Sequence, residues 1–152
     1  MSQVQPKEKL KFKIGLSGTY WGKKPQYSIS VNDQLFAEGT VTGASNEIEY
    51  IEFYCDVEEN QGHCIKIRLL NKDETDTVES EDKSSIVKDM LLNIHSVEID
   101  DISLEHLLWT ASSFVGDDPN RPVLKRCVNL GWNGTYNLPF TSPFYLWLLE
   151  NL

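Results

Sequence analysis

Residues 63–70, with the sequence His-Cys-Ile-Lys-Ile-Arg-Leu-Leu, decide the fold class of this chain. From Ile65 to Leu69, apolar residues at odd positions alternate with charged residues at even positions, which is the period-2 pattern of a half-buried β-strand. A second segment of this kind, residues 95–100, follows a loop in which six of the ten residues from 73 to 82 are Asp or Glu. Two strands that bracket a carboxylate-rich loop can collect the oxygen ligands that a hard cation takes.

The same alternation recurs along the chain and predicts further short strands. These strands cover residues 10–16, 27–31, 34–41 and 48–57. Asn32-Asp33 is typical of a hairpin turn, and the polar residues 59–62 predict that strand 63–70 returns as the hairpin partner of strand 48–57. Many short strands separated by turns predict an all-β, mainly antiparallel β-sandwich.

Two segments interrupt the strand pattern and predict one or two short helices. Residues 84–92 can form a turn or two of helix. Ser142-Pro143 resembles a helix N-cap and a first-turn proline ahead of residues 144–149, although a fully buried strand fits that apolar segment equally well. A chain of 152 residues fits one core. We therefore predict a flexible leader over residues 1–9 and a single domain over residues 10–152, in which residues 107–152 are extra strands or an appended element.

Charge and composition exclude several classes of partner. The formal net charge of -9 argues against nucleic acid, whose binding uses clustered Lys and Arg, and against an anionic membrane surface. No apolar run approaches the roughly 18 residues that span a bilayer. The first residues lack the apolar core of a secretory signal, so we expect synthesis in the cytoplasm. Cys55, Cys64 and Cys127 are odd in number and lack a Cys-x-x-Cys spacing, which predicts free thiols, mostly buried.

Short motifs in residues 12–102 resemble, in their order, those of a known family. The matching segments are Val-Asn-Asp at 31–33, Gly-His at 62–63, Arg-Leu-Leu-Asn at 68–71, Asp-Met-Leu-Leu at 89–92, and the strand-like residues 94–102. This order resembles the calcium-dependent, xylan-binding type of carbohydrate-binding module, which is a small jelly-roll β-sandwich. The resemblance implies a jelly-roll-like sandwich here.

The resemblance also implies a metal site. Such modules hold a calcium ion that coordinates sugar hydroxyls directly, and the matching positions here are Asn71, Asp73 and Asp89. Calcium takes about six to eight oxygen ligands, so diol oxygens can replace its waters. The sequence departs from the family pattern where Lys72 stands in place of an Asp and where Met90 and Leu91 replace an Arg-Asn pair.

The acidic loop and the aromatic residues each allow a second interpretation. A run of carboxylates is often a solvated surface, and Asp89 alone could cap a helix. Tyr20, Trp21 and Trp132 lie in polar, Gly-containing stretches and are candidates for stacking on pyranose rings. The alternative is that these rings close the ends of the sandwich, where each would bury roughly 150–250 Å².

The C-terminal residues 140–152 are apolar on every side, so they must be buried in their own domain or against another chain. Phe144, Tyr145 and Trp147 are therefore candidate interface residues. We leave assembly contact and simple core packing as equal alternatives.

Two functional hypotheses follow. The first is a non-catalytic glycan-binding module that uses calcium to bind a polysaccharide or cell-surface glycan, within a larger assembly. The second is a structural protein on the same fold, such as an accessory or decoration protein of a tailed-phage virion, whose partners are other virion proteins or further copies of itself. We predict no enzyme, since Ser112-Ser113 lacks a Gly-x-Ser-x-Gly setting and Cys127 has no readable base partner.

Overall fold

A computed structural model describes residues 6–151 of the chain. Over this range the helical elements are α1 (Leu107–Thr110), α2 (Phe144–Glu150) and a single 3-10 turn (Glu74–Asp76). The strands are β1 (Lys7–Thr19), β2 (Gln26–Val31), β3 (Gln34–Thr40), β4 (Glu49–Glu58), β5 (Gly62–Leu69), β6 (Val78–Glu79), β7 (Ile86–Lys88), β8 (Leu91–Ile99), β9 (Ile102–Ser103), β10 (Ser113–Gly116), β11 (Leu124–Lys125), β12 (Asn129–Leu130) and β13 (Gly134–Thr141).

These strands form two packed antiparallel sheets. The first sheet has the order β12-β8-β1-β4, with β9 also paired to β8, and the second has the order β11-β10-β13-β5-β2-β3. The short strands β6 and β7 pair with each other. The predicted all-β, mainly antiparallel sandwich with short helices is therefore confirmed.

The core lies between the sheets and follows the alternation of the strands. The odd-numbered residues of β5 from Ile65 to Leu69 are fully buried, and so are the even-numbered residues of β1 from Leu10 to Leu16. Phe12 of β1 stacks on Phe53 of β4 at 5.1 Å between ring centroids and meets Phe140 of β13 at 6.0 Å. Aromatic contacts thus join the two sheets, and this rigid body carries the loops at its ends.

The predicted hairpin between residues 48–57 and 63–70 is wrong. β4 pairs with β1 in the first sheet, whereas β5 pairs with β2 and β13 in the second. The turn between them therefore crosses from one sheet to the other. A hairpin and such a crossing have the same local sequence pattern, because both join two strands that each bury one face. Cys55 and Cys64 consequently lie in different sheets, and both are free thiols, as is Cys127.

The helix predicted over residues 84–92 is also wrong. These residues form β7 and the start of β8, and α1 occurs at Leu107–Thr110 instead. The buried residues Met90 and Leu92 pack in the core at the end of the first sheet, so tertiary contacts override the local pattern.

The first strand begins earlier than the sequence indicates. Residues 7–9, assigned to a flexible leader, pair with residues 56–58 of β4. Glu8 reaches the far end of the chain, where its Oε1 accepts hydrogen bonds from the Ser142 hydroxyl at 2.6 Å and the Phe144 amide at 2.7 Å. The rest of the predicted leader, residues 1–5, lies outside the described residues.

Helix α2 turns two of its three predicted interface residues inward. Phe144 is fully buried and Trp147 is 8% exposed, and both rings pack together at 6.1 Å. They belong to the chain's own core and are not available for an interface. Tyr145 is exposed, together with Leu146 and Leu149. Among residues 6–151 there is no helix of the length and apolarity that a membrane crossing requires.

Candidate functional site

A cleft of about 820 Å³ opens at one end of the sandwich, between residues 72–89 on one side and residues 117–133 on the other. Its lining is rich in carboxylates and includes one tryptophan. The lining residues are Lys72, Asp73, Glu74, Thr77, Glu79, Ile86, Asp89, Asp117, Asp118, Arg121, Gly131, Trp132 and Asn133. This size is typical of small-molecule sites in proteins, which run to roughly 300–1,000 Å³.

Strand register brings the two sides of the cleft together. Gly134 at the start of β13 pairs with Leu69 at the end of β5, so residues 70–72 and 131–133 leave the second sheet at the same edge. Leu130 at the end of β12 pairs with Leu92 near the start of β8 in the first sheet. Residues 131–133 therefore cross from one sheet to the other directly beside the loop that leaves β5.

Lys72 lies at the centre of this junction. Its ammonium Nζ donates to the Asp89 Oδ1 and to the backbone carbonyl of Gly131, both at 2.6 Å. The Lys72 side chain is only 9% exposed and that of Asp89 20%. Asp89 Oδ1 also accepts from the Thr77 hydroxyl at 2.7 Å and from the Met90 amide at 2.9 Å. One lysine thus joins the two sides of the cleft.

Hydrogen bonds and charge determine the ionisation of Asp89. Burial of this carboxyl raises its pKa, but the hydrogen bonds from Lys72, Thr77 and the Met90 amide, together with the Lys72 charge, outweigh burial and lower the pKa below its ordinary value. Asp89 is therefore a carboxylate, and its negative charge is matched by the ammonium group of Lys72.

Two asparagine amides hold the loop after β5 in place. The Asn133 side chain accepts from the Lys72 amide at 2.7 Å and donates to the Lys72 carbonyl at 3.0 Å. Asn71 acts in the same way on its other side, where it accepts from the Gln26 amide at 2.8 Å and donates to the Lys24 carbonyl at 3.0 Å. Each of these amide side chains supplies the hydrogen-bond partners that backbone groups next to a strand end would otherwise lack, so Asn71 has a structural role.

Asp73 begins the 3-10 turn and lies beside another lysine. Its carboxylate pairs with Lys23 Nζ at 2.6 Å, and its backbone amide donates to Asp76 Oδ2 at 2.7 Å. Lys23 Nζ also lies 3.1 Å from Asp76 Oδ2. Lys23 and Asp73 are much more exposed than Lys72 and Asp89, at 39% and 70% of their side chains. The two predicted carboxylates of this rim, Asp73 and Asp89, thus have separate lysine partners.

The opposite side of the cleft is built around Trp132. The guanidinium of Arg121 lies over its ring at 4.3 Å from the centroid, and the ring packs against Phe114 at 5.7 Å. A Cβ on Gly116 would lie 2.6 Å from Trp132 Nε1, so only glycine permits this close approach. Beside it, Arg68 binds both carboxylate oxygens of Asp117 at 2.9 Å. Trp132 therefore presents a ring and an arginine to the cleft together.

The other two candidate sugar-stacking residues lie outside the cleft. The Tyr20 hydroxyl donates to the Gly43 carbonyl at 2.9 Å, and the ring packs against the core. Trp21 is 47% exposed and donates from its indole nitrogen to the Asp76 carbonyl at 2.9 Å. Lys88 lies over the Trp21 ring at 5.0 Å. Trp21 thus supports the 3-10 turn from outside, and only Trp132 of the three aromatic candidates lines the cleft.

Calcium does not fit the donor set in this arrangement. Within residues 6–151, no three His, Cys, Asp or Glu side chains are grouped closely enough to hold a metal ion. Asp89 Oδ1 already accepts an ammonium group, Asp73 pairs with Lys23, and Asn71 binds backbone. A divalent ion beside Asp89 would have to displace Lys72 or lie next to its positive charge.

Of the predicted metal ligands Asn71, Asp73 and Asp89, the last two line the cleft, as does Trp132 of the three predicted sugar-stacking residues. Arg121 and Asn133 were not predicted, and they belong to the part of the chain outside the family resemblance. The turn-forming residues 116–120, Gly-Asp-Asp-Pro-Asn, indicate a loop there. Nothing local to that loop predicts that it faces residues 72–89, because this depends on the pairing of β13 with β5.

This chain is similar to known proteins at the level of the fold. No protein-family model matches the chain, and neither does a curated protein. Among solved structures, "vCBM60 in complex with galactobiose" aligns with a TM-score of 0.52 at 11% identity, over 84% of this chain and 96% of that one. A selenomethionine form of vCBM60 aligns with a TM-score of 0.52 at 11% identity, over 85% of this chain and 89% of that one. That structure is described as showing that circular permutation provides an evolutionary link between two families of calcium-dependent carbohydrate-binding modules. The chain thus shares the fold of these modules.

Proposed function

We propose that this protein is a non-catalytic glycan-binding module that holds sugar in the cleft between residues 72–89 and 117–133. The observation that carries the proposal is the composition of this cleft. The stack of the Arg121 guanidinium on Trp132 and the side chain of Ile86 offer packing surface, and carboxylates and a lysine offer hydrogen-bonding groups around them. Sugars have the matching surface, because each ring carries apolar C–H faces and a rim of hydroxyls.

The charge of the cleft favours a neutral glycan. Six Asp or Glu side chains line it. Lys72, Lys23 and Arg68 pair with three of them, which leaves the charges of Glu74, Glu79 and Asp118 against that of Arg121. Carboxylates accept hydrogen bonds from sugar hydroxyls, whereas a uronic acid or a sulfated sugar would be repelled. The shared fold adds support, since one of the aligned structures is a complex with galactobiose. Galactobiose and xylan, the latter from the family resemblance, are therefore the first ligands to test.

Affinity electrophoresis in gels that contain galactan, xylan or polygalacturonate tests the proposal, with and without EDTA. We expect retardation by a neutral polysaccharide and none by polygalacturonate. Trp132→Leu and Arg121→Ala should each weaken retardation by about 10-fold or more, while the exposed Lys125, outside the cleft, provides the control Lys125→Ala. Thermal melting verifies that the variants are folded. Failure of every neutral glycan to bind, or equal binding by all variants, refutes the proposal.

A second proposal, that the protein acts as a structural subunit, is supported by helix α2. Tyr145, Leu146 and Leu149 are 51%, 58% and 69% exposed on this short helix. An apolar surface of this kind can contact another virion protein or a second copy of the chain. Light scattering of the Leu146→Glu/Leu149→Glu double variant tests it, with Leu35→Glu on β3 as the control. A wild-type protein that stays monomeric at high concentration, alone and with a candidate partner, argues against this second proposal.

A further inference from the structure

The ammonium group of Lys72 occupies a position that has the chemistry of a cation site. It lies 2.6 Å from a carboxylate oxygen of Asp89 and 2.6 Å from the backbone carbonyl oxygen of Gly131. Carboxylates and backbone carbonyls are the ligands that a hard metal ion takes in proteins. The Lys72 side chain is 9% exposed, so this cation is held in the protein and not in bulk solvent.

We infer that Lys72 is the built-in cation of the cleft, that it takes the place of calcium, and that the cleft binds its ligand without a metal. The inference about metal does not depend on which ligand binds. The inference about the ligand rests on the proposed glycan-binding function. One aligned structure is described with calcium-dependent modules, so the same fold would then use two kinds of cation.

Charge explains why the lysine excludes a metal. Lys72 and Asp89 carry equal and opposite charges, so their pair is neutral without any ion from solution. A divalent ion that approached the Asp89 carboxylate would meet a positive charge within about 4 Å and little water to screen it. The backbone of Lys72 makes two hydrogen bonds with the Asn133 side chain, which accepts from its amide and donates to its carbonyl, so the residue is fixed beside Asp89.

The geometry also gives Lys72 a function towards a ligand. An ammonium group has three N–H donors, and Asp89 and Gly131 accept two hydrogen bonds from it. Lys72 lines the cleft, so its third donor is placed for a hydroxyl of the bound sugar. A calcium ion would coordinate such a hydroxyl as a Lewis acid, whereas the ammonium group donates a hydrogen bond to it.

Calcium titrations of the ligand-free protein test the inference about metal. We expect isothermal titration calorimetry to detect no calcium binding to the wild type, and its melting temperature to change by less than about 1 °C between EDTA and excess calcium. The variant Lys72→Asp should gain a calcium response, because it adds a carboxylate and removes the competing charge. Its melting temperature should rise by about 5–11 °C at calcium 100-fold above the dissociation constant.

Lys125→Asp is the control for this gain. It makes the same change of charge at an exposed position outside the cleft. We expect no comparable calcium response from it. Calcium binding by the wild type, or an equal response of the two variants, overturns the inference.

Glycan binding by Lys72→Met tests the second part, because methionine keeps the apolar stem and removes the ammonium group. We expect wild-type glycan binding to be unchanged by EDTA, and binding by Lys72→Met to fall by about 10-fold or more. Wild-type binding that EDTA abolishes overturns the inference while the proposed function stands. If no glycan binds at all, the proposed function fails, and the calcium titrations still decide whether Lys72 replaces the metal.

Discussion

Replacement of Lys72 by methionine should destabilise the protein in a pH-dependent way. The variant leaves the apolar stem in place but removes the hydrogen bonds to Asp89 and Gly131. A hydrogen bond that involves a charged group contributes about 1.5–3 kcal/mol. Loss of one partner from a fully buried ion pair costs about 3–5 kcal/mol, and this pair is 9% and 20% exposed. We expect the free energy of unfolding at pH 7 to fall by about 2–4 kcal/mol.

The pH dependence follows from the lowered pKa of Asp89. A carboxyl whose pKa is lower in the folded than in the unfolded state stabilises the fold above its unfolded pKa, about 3.9 for Asp. This stabilisation is lost as the pH falls through the folded-state pKa. The difference between wild type and Lys72→Met should therefore be largest at neutral pH and shrink steadily below about pH 4.

Urea unfolding followed by tryptophan fluorescence at pH 7, 5 and 3 measures both effects. At pH 7 the expected loss corresponds to a melting temperature lower by about 4–16 °C. Lys66→Met is the control, because its 3.4 Å ion pair with Asp33 involves a fully exposed carboxylate and should contribute little. A destabilisation of Lys72→Met below about 0.5 kcal/mol, or one that is the same at pH 7 and pH 3, would refute the reasoning.

Three further substitutions, one with a matched control, test contacts that hold strand ends and helix α2. Asn71→Ala should lower stability by about 1–3 kcal/mol in thermal melting, equally with EDTA and with calcium, because its amide bonds backbone at both ends; a loss seen only in calcium would indicate a metal ligand instead. Gly134→Ala should cost about 1–3 kcal/mol, because the new Cβ would lie 2.5 Å from the Val115 carbonyl, whereas Gly62→Ala has no atom within 4 Å and should be nearly neutral. Glu8→Ala should cost about 1–2 kcal/mol, because it removes two hydrogen bonds at the start of α2; an unchanged melting temperature would show that the N-terminal strand does not hold this helix.

Much of the fold was readable because strands with one buried face have a strong sequence period. The alternation of β1, β2, β4 and β5 predicted where each strand lies and which residues are buried, to within a few positions. Segments without such a period were predicted less well. Residues 84–92 looked helical and form strands, since Met90 and Leu92 pack in a core that only the assembled sheets create.

The sequence indicated where the strands lie more clearly than it indicated which strands pair with each other. The turn after β4 predicted a hairpin, and the structure instead sends β5 to the opposite sheet, next to β2 and β13. The apolar face of β5 is buried equally well in a hairpin with β4 and in the opposite sheet. The choice depends on which distant strands complete each sheet, and β13 lies far from β5 along the chain.

By itself, the sequence determined the class of fold and the carboxylate-rich loop, because these follow from local period and composition. Asp73 and Asp89 became candidates through the family resemblance, and Trp132 through its Gly-containing surroundings. Only the tertiary structure decided which charges meet. It paired Lys72 with Asp89, set Arg121 over Trp132 and turned Phe144 into the core. Such pairings join residues far apart in the sequence, and a charge has no period along the chain that would reveal its partner.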